Sequence, residues 1–127
     1  MISYNPADDI KMRIEQLVNK LGMEHIDTSR LFCIRSHGSS SKGIIARCHA
    51  LPKIMQQCLS MAPIYIIEVI SENFDNLNEE EKIKTLIHEL LHIPKSFGGG
   101  FIHHDKISKS KVDKLYFKFN QINNQIK

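Results

Sequence analysis

Three residues in one short stretch have the types and spacing for metal chemistry: His88, Glu89 and His92, in His88-Glu89-Leu90-Leu91-His92. Side chains four apart on an α-helix lie on one face, about one turn from each other. His88 and His92 can then present two imidazoles to one ion. Glu89, one position round, stands beside any water that ion holds. This is the spacing of a zinc hydrolase site, with two histidine ligands and a glutamate general base.

A catalytic zinc takes three protein ligands and keeps one position open. Pro94 ends the helix, and Gly98-Gly99-Gly100 gives the chain freedom to reverse. His103, His104 and Asp105 follow. Adjacent side chains of an extended segment point to opposite sides, so one of the two histidines is expected to ligate. His104 is preferred, His103 is the alternative third ligand, and Asp105 is a weaker candidate. In the expected mechanism, peptide-bond hydrolysis by a zinc-activated water, Glu89 takes a proton from that water and passes it to the leaving amine. His103, Tyr116, Arg35 and His49 are candidate donors to the oxyanion.

The elements that must position these residues are legible as patterns. Asn78 and Glu81 form a capping signal, and Ile83, Leu86, Ile87, Leu90, Leu91 and Ile93 make an apolar arc that the histidines avoid. The active-site helix is expected from Asn78 to about Ile93. Ile64 to Ile70 reads as the strongest strand, with Glu68 on a solvated side. Its edge is the expected seat of an extended peptide substrate. Leu31 to Arg35 and Ile44 to Ala50 read as two strands of a hairpin across the polar loop Ser36 to Gly43. Arg35, His37, Arg47 and His49 decorate that pair as a polar face, with an anion site as the minor reading.

Asn5-Pro6 opens a first helix over about 6–21, striped by Ile10, Ile14, Leu17, Val18 and Leu21 and stopped at Gly22. A short helix follows from Pro52 to about Ser60, with Ile54, Met55, Cys58 and Leu59 on its apolar side. Ser71 to Leu77 reads as a loop. A last helix runs from about Ser108 to Gln125, with Val112, Leu115, Tyr116, Phe119, Ile122 and Ile126 as its stripe. The fold class is α+β: a small sheet of about three strands, mostly antiparallel or mixed, packed against the active-site helix and flanking helices.

Length and composition agree. The 127 residues suit one domain over 1–127, and 42% hydrophobic with 24% charged residues is ordinary for a globular chain. No apolar run reaches membrane-spanning length and no signal-peptide pattern opens the chain, so a cytoplasmic protein without a membrane partner is expected. Cys33, Cys48 and Cys58 lack zinc-finger spacing and read as buried, reduced thiols. The net charge of +3 does not argue for nucleic acid. Lys109, Lys111, Lys114 and Lys118 on the last helix are compatible with such a partner, but a solvated face is the better reading.

The run Ile87-His88-Glu89-Leu90-Leu91-His92-Ile93-Pro94-Lys95-Ser96-Phe97-Gly98-Gly99-Gly100 resembles the metallopeptidases of archaea and phages grouped as the "putative phage metallopeptidase" family. Tyr65 to Glu72, Arg35-Ser36-His37-Gly38-Ser39 and Leu51-Pro52-Lys53-Ile54 resemble its upstream pattern. The likeness extends from Ser3 to Phe119. It implies a zincin-like fold, Zn2+ as cofactor, His88 and His92 as ligands, Glu89 as catalytic residue, and His104 as the histidine after the glycine turn. A peptide or protein substrate follows from that activity.

The alternative is a zinc-binding regulatory or structural module without proteolytic turnover, associated in one version with nucleic acid. The intact Glu89 argues against it, because a purely structural site has no use for that carboxyl. A domain this small has little room for specificity subsites. Latency or dependence on a partner is therefore an open alternative, with the tail Gln121 to Lys127 as the segment expected to block the cleft.

Overall fold

The computed structural model describes residues 1–40 and 42–126, the last two without their side chains. The expected place of Ser41 in a loop, the apolar role of Ile126, the side chains of the blocking tail at 125–126 and Lys127 lie outside the described residues. Four strands, β1 (Ser3–Pro6), β2 (Leu31–His37), β3 (Ala46–Ala50) and β4 (Tyr65–Ile70), form one mixed sheet in the order β1-β2-β4-β3. Five helices accompany it: α1 (Asp8–Lys20), α2 (Lys53–Leu59), α3 (Ser71–Phe74), α4 (Glu79–Leu90) and α5 (Lys109–Ile126). The α+β class is as expected, with one strand more than the sequence pattern suggests. No described helix is long and apolar enough to cross a membrane.

The extra strand lies where helix was expected to begin. Asn5 pairs with Arg35 and Pro6 with Ile34 in an antiparallel edge, so Asn5 is not a cap. Pro6 is tolerated there because an edge strand can spare a donor. The Ala7 N–H still reaches the Cys33 carbonyl, and the helix starts only at Asp8. Its stripe is as expected, with Ile10, Ile14, Leu17 and Val18 buried.

The expected hairpin does not form. β4 lies between β2 and β3, parallel to the first (Leu31 with Tyr65, Ser36 with Ile70) and antiparallel to the second (Ala46 with Val69, Ala50 with Tyr65). A strand as apolar as Tyr65-Ile66-Ile67-Glu68-Val69-Ile70 gains most from burial in the sheet centre. This corrects the expected substrate edge: β4 is internal, and β3 is the free edge on that side of the sheet. Glu68 is corrected too. It is 5% exposed, with His49 Nε2 2.8 Å and an Arg47 nitrogen 3.5 Å from its two carboxylate oxygens. Burial opposes its charge, but the His49 hydrogen bond and the neighbouring cation hold its pKa below the usual glutamate value.

Alternation along the strands gives the sheet two faces. Leu31, Cys33, Tyr65, Ile67 and Val69 meet Ile14, Leu17, Leu86, Ile87 and Leu90 in the core. Phe32, Ile66, Glu68, Arg47 and His49 lie on the other face. Among the helices, α4 packs on β3 and α5, and α1 packs on β2 and α5. Two smaller expectations fail. Residues 71–74 are helical rather than loop. The apolar side of α2 is exposed, with Ile54 at 74% and Cys58 also in solvent. That helix is tied down through Gln56, whose amide donates to the Leu51 and Gly98 carbonyls.

Arg35 staples β2 to two helices. It bonds Asp9 of α1 at 2.6 and 2.9 Å and Asp75, just after α3, at 3.1 Å. The guanidinium hydrogen bonds outweigh partial burial and hold the Asp9 carboxyl below its ordinary value. A carboxyl depressed on folding contributes stability that is present above its unfolded pKa, about 4. That stability is lost as pH falls through the folded value. Asp9 is largely exposed, so the contribution is at most about 1 kcal/mol. Asp9→Asn is expected to lower the thermal midpoint at pH 7, with the gap to wild type closing below about pH 4; a pH series of melting curves checks it.

Candidate functional site

The Asn78 side chain caps α4 by accepting the Glu81 N–H at 2.9 Å. Three glutamates in the first turn complement the helix dipole. Ile83, Leu86, Ile87 and Leu90 bury one side of the helix. His88 faces the cleft, with Glu89 beside it. Regular helix ends at Leu90, earlier than the expected Ile93. His92 sits in a tightened final turn, its N–H bonded to the Glu89 carbonyl at 3.2 Å. The His88 and His92 rings remain adjacent, 4.9 Å between centroids.

After Pro94 the chain reverses, with Phe97 and Gly99 at positive φ, 47° and 101°. The returning segment is then fastened to the helix end. The Ile102 N–H donates to the His92 carbonyl at 2.8 Å, and His92 Nδ1 donates to the Ile102 carbonyl at 2.6 Å. That second bond fixes the tautomer of His92 and leaves Nε2 with a free lone pair for the cleft. His104 Nδ1 arrives 3.0 Å from His88 Nε2.

His88, His92 and His104 each offer one ring nitrogen, and these atoms all lie within 4.8 Å of one another. His103 is turned aside. Its Nδ1 is 2.9 Å from Asp105 Oδ1, and its side chain is 77% exposed. The alternative third ligand and the weaker candidate Asp105 therefore pair with each other.

The donor set fits a divalent metal ion. Two nitrogens on one tetrahedral zinc, each about 2.0–2.1 Å from it, stand about 3.3 Å apart; His88 Nε2 and His104 Nδ1 are near that spacing. The Nδ1–H of His92 on a backbone carbonyl is the support that metal-binding histidines ordinarily have. Burial and the two neighbouring imidazoles push the His88 pKa down to about 4. Burial likewise lowers that of His92, against the opposing pull of the Ile102 carbonyl. Both rings are thus neutral at pH 7, the form a metal requires.

Glu89 is 6% exposed, and its Oε1 is 3.9 Å from His92 Nε2. No described residue donates a hydrogen bond to its carboxylate. Burial pushes its pKa up to about 7. A carboxyl poised there can take and return a proton near neutrality.

These groups line a cleft of about 890 Å³ between β3, α4, the segment 101–107 and the start of α5. Arg47, His49 and His103 border it; Arg35, His37 and Tyr116 do not. Arg35 is the staple described above, and His37 lies 3.4 Å from the Ser71 hydroxyl. Tyr116 carries the Lys84 ammonium over its ring. His49 borders the cleft, but its Nε2 is turned to Glu68 on the far face of the sheet, 2.8 Å away. Among the expected oxyanion donors, His103 alone is not committed elsewhere in the fold. The blocking tail is corrected as far as it is described: 121–124 is helix, Asn123 is bonded to Lys20 of α1 at 2.7 Å, and none of it borders the cleft.

Two lining residues were not anticipated. Phe101 stacks on His92, with centroids 4.4 Å apart and planes 13° from parallel. Cys48 lies on the core face of β3 near Glu89, its thiol pushed up to about 12 by burial and then by that carboxyl. Strand alternation could have placed Cys48 on the face that α4 covers. Only the turn geometry brings Phe101 to its ring.

A helix carrying two histidines and a glutamate, facing a cleft beside the outer strand of a mixed sheet, thus brings three potential metal donors and one buried carboxyl together. The chain belongs to the family described as "Putative phage metallopeptidase", whose model matches residues 2–121. No curated protein and no solved structure matches it.

Elemental analysis after zinc reconstitution checks the donor set. Wild type and His103→Ala are expected to hold about one zinc per chain, and His104→Ala to lose most of it. Loss confined to His103→Ala would move the third donor by one residue.

Proposed function

We propose that the protein is a zinc-dependent endopeptidase in which His88, His92 and His104 hold the ion and Glu89 carries the proton. The observation that bears most weight is Glu89 itself. A carboxyl this buried, with no hydrogen bond from any described residue to offset the cost, is a burden to the fold. It is expected where proton transfer needs it.

Bound zinc supplies Lewis-acid polarisation of a scissile carbonyl and lowers the pKa of water to about 7. The remaining work falls to the chain. Glu89 Oε1 takes the proton of the attacking water and then delivers it to the leaving amine nitrogen, so the carboxylate ends as it began. The Ile102 carbonyl keeps His92 in one tautomer throughout. A closed structural site would need a fourth protein ligand; the donor group among the described residues has three members, which supports the open, catalytic reading instead.

The substrate backbone is assigned to the edge of β3. The Leu51 N–H bonds the Ile64 carbonyl, and the Ile70 N–H bonds the Ile45 carbonyl. In an antiparallel ladder such pairs recur at every second residue. Positions 45, 47, 49 and 51 therefore face β4. The N–H and C=O groups of Ala46, Cys48 and Ala50 face outward, where an extended peptide can add as a further strand.

Glu89→Gln is expected to keep zinc and to lower kcat by about 10²–10⁴ on a quenched-fluorescence peptide library. Wild type that holds zinc but never cleaves would sink the peptidase reading. Ala46→Pro removes an outward N–H without touching the ladder. It is expected to raise KM roughly ten-fold, the worth of one or two hydrogen bonds, with a smaller change in kcat.

A further inference from the structure

The third histidine reaches the site from a turn rich in glycine, the kind of backbone least able to hold a side chain still. Two residues remote from the cleft remove that freedom. Tyr65, fully buried at the start of β4, places its hydroxyl inside the turn. The hydroxyl accepts the Gly99 N–H at 3.0 Å and donates to the Gly100 carbonyl at 2.7 Å. Its ring packs against Phe97, 4.9 Å between centroids. Gln56, on α2, donates its side-chain amide to the Gly98 carbonyl at 3.1 Å and to the Leu51 carbonyl at 2.8 Å.

Three successive glycines are thus each held by a side chain from another element. The turn is also closed sterically. A Cβ on Gly99 would fall 2.3 Å from the Gln56 amide nitrogen and 2.7 Å from the Leu51 carbonyl oxygen, at a φ of +101°. Two residues beyond the last glycine comes Ile102, the partner of His92, and two further on comes His104.

We propose that Tyr65 and Gln56 are positioning residues for the metal centre: their clamp on Gly98–Gly100 fixes where Ile102 meets His92 and where His104 meets His88. The proposal rests on the reading of the three histidines as metal ligands. Neither residue borders the cleft. They act on the metal by holding the turn in the conformation that completes the donor set before any ion arrives. Loosening the clamp makes metal binding bear the cost of ordering the turn, and affinity falls while the core stays folded.

The test is zinc affinity of the metal-free full-length chain, by competition with a chromophoric chelator, alongside its thermal midpoint. Wild type is compared with Tyr65→Phe, Gln56→Met and Ile14→Val. Ile14→Val loosens the core away from the turn. Tyr65→Phe keeps the ring and loses both turn bonds; its zinc affinity is expected to fall at least ten-fold, as is usual for outer partners of metal ligands. Gln56→Met is expected to lose several-fold, and Ile14→Val to remain within two-fold despite a lowered midpoint. Affinity within two-fold of wild type for both Tyr65→Phe and Gln56→Met overturns the proposal. So does a loss in Ile14→Val as large as theirs, because affinity would then merely follow stability. Wild type that binds no zinc overturns the ligand reading itself, a different failure seen in a different sample.

Discussion

The site depends on one reciprocal pair of hydrogen bonds. His92 gives its carbonyl to the Ile102 N–H and its Nδ1–H to the Ile102 carbonyl. Without that pair, the helix would end at its second histidine and the chain would leave. With it, the segment after the glycine turn becomes a short extension of the helix end, and His104 is brought back beside His88. One residue's main chain and side chain together set a ring orientation, a tautomer and the path of the backbone. Partly buried hydrogen bonds of this kind are costly to leave unmade, so the turn and the helix end support each other.

The sheet serves the same site from above. Placing β4 in the centre leaves β3 as the strand beside α4. The cleft therefore has a helix for its floor and the outer strand of the sheet for its rim. Glu68 shows how firmly that rim is held. His49 and Arg47 of β3 reach across to a carboxylate of β4 at 2.8 and 3.5 Å, adding a charged tie to the main-chain ladder. Edge strands are prone to bend or slip; a cross-strand tie at two of its five residues opposes both.

Much of this was legible from residue order, and the parts that were not share a cause. His88, Glu89 and His92 follow from helix periodicity, which is local. So do the α1 stripe and the Asn78 cap. The chain reversal could be foreseen from Pro94 and three glycines, and His104 could be preferred, because distances along the chain were short. Pairing between strands is not local. Residues 31–35 and 44–50 have the turn chemistry of a hairpin, yet the more apolar 65–70 takes the place between them. That misplacement set the expected peptide on a strand that is internal, and it left Glu68, which does lie on the face away from the core, in solvent rather than buried against His49 and Arg47. Helix α2 misled differently: its apolar residues have amphipathic spacing but face solvent, because the helix is held through the Gln56 amide rather than through its stripe.

Central placement of β4 also orders the events of folding. Its partners lie on either side of it in space but both precede it in the chain, and the parallel register of Leu31 with Tyr65 joins distant segments. Such a pairing repays nothing until a long loop has closed. Strand β3 has no ladder until β4 is present, but these two are close in the chain, Ala50 pairing with Tyr65, so the cleft rim needs only a short loop to close. Once β4 is paired, the outward groups of 46, 48 and 50 are still open to an extended chain, including a second copy of this one. The feature that suits β3 to receive an extended peptide is therefore the same one that exposes it to strand pairing between copies.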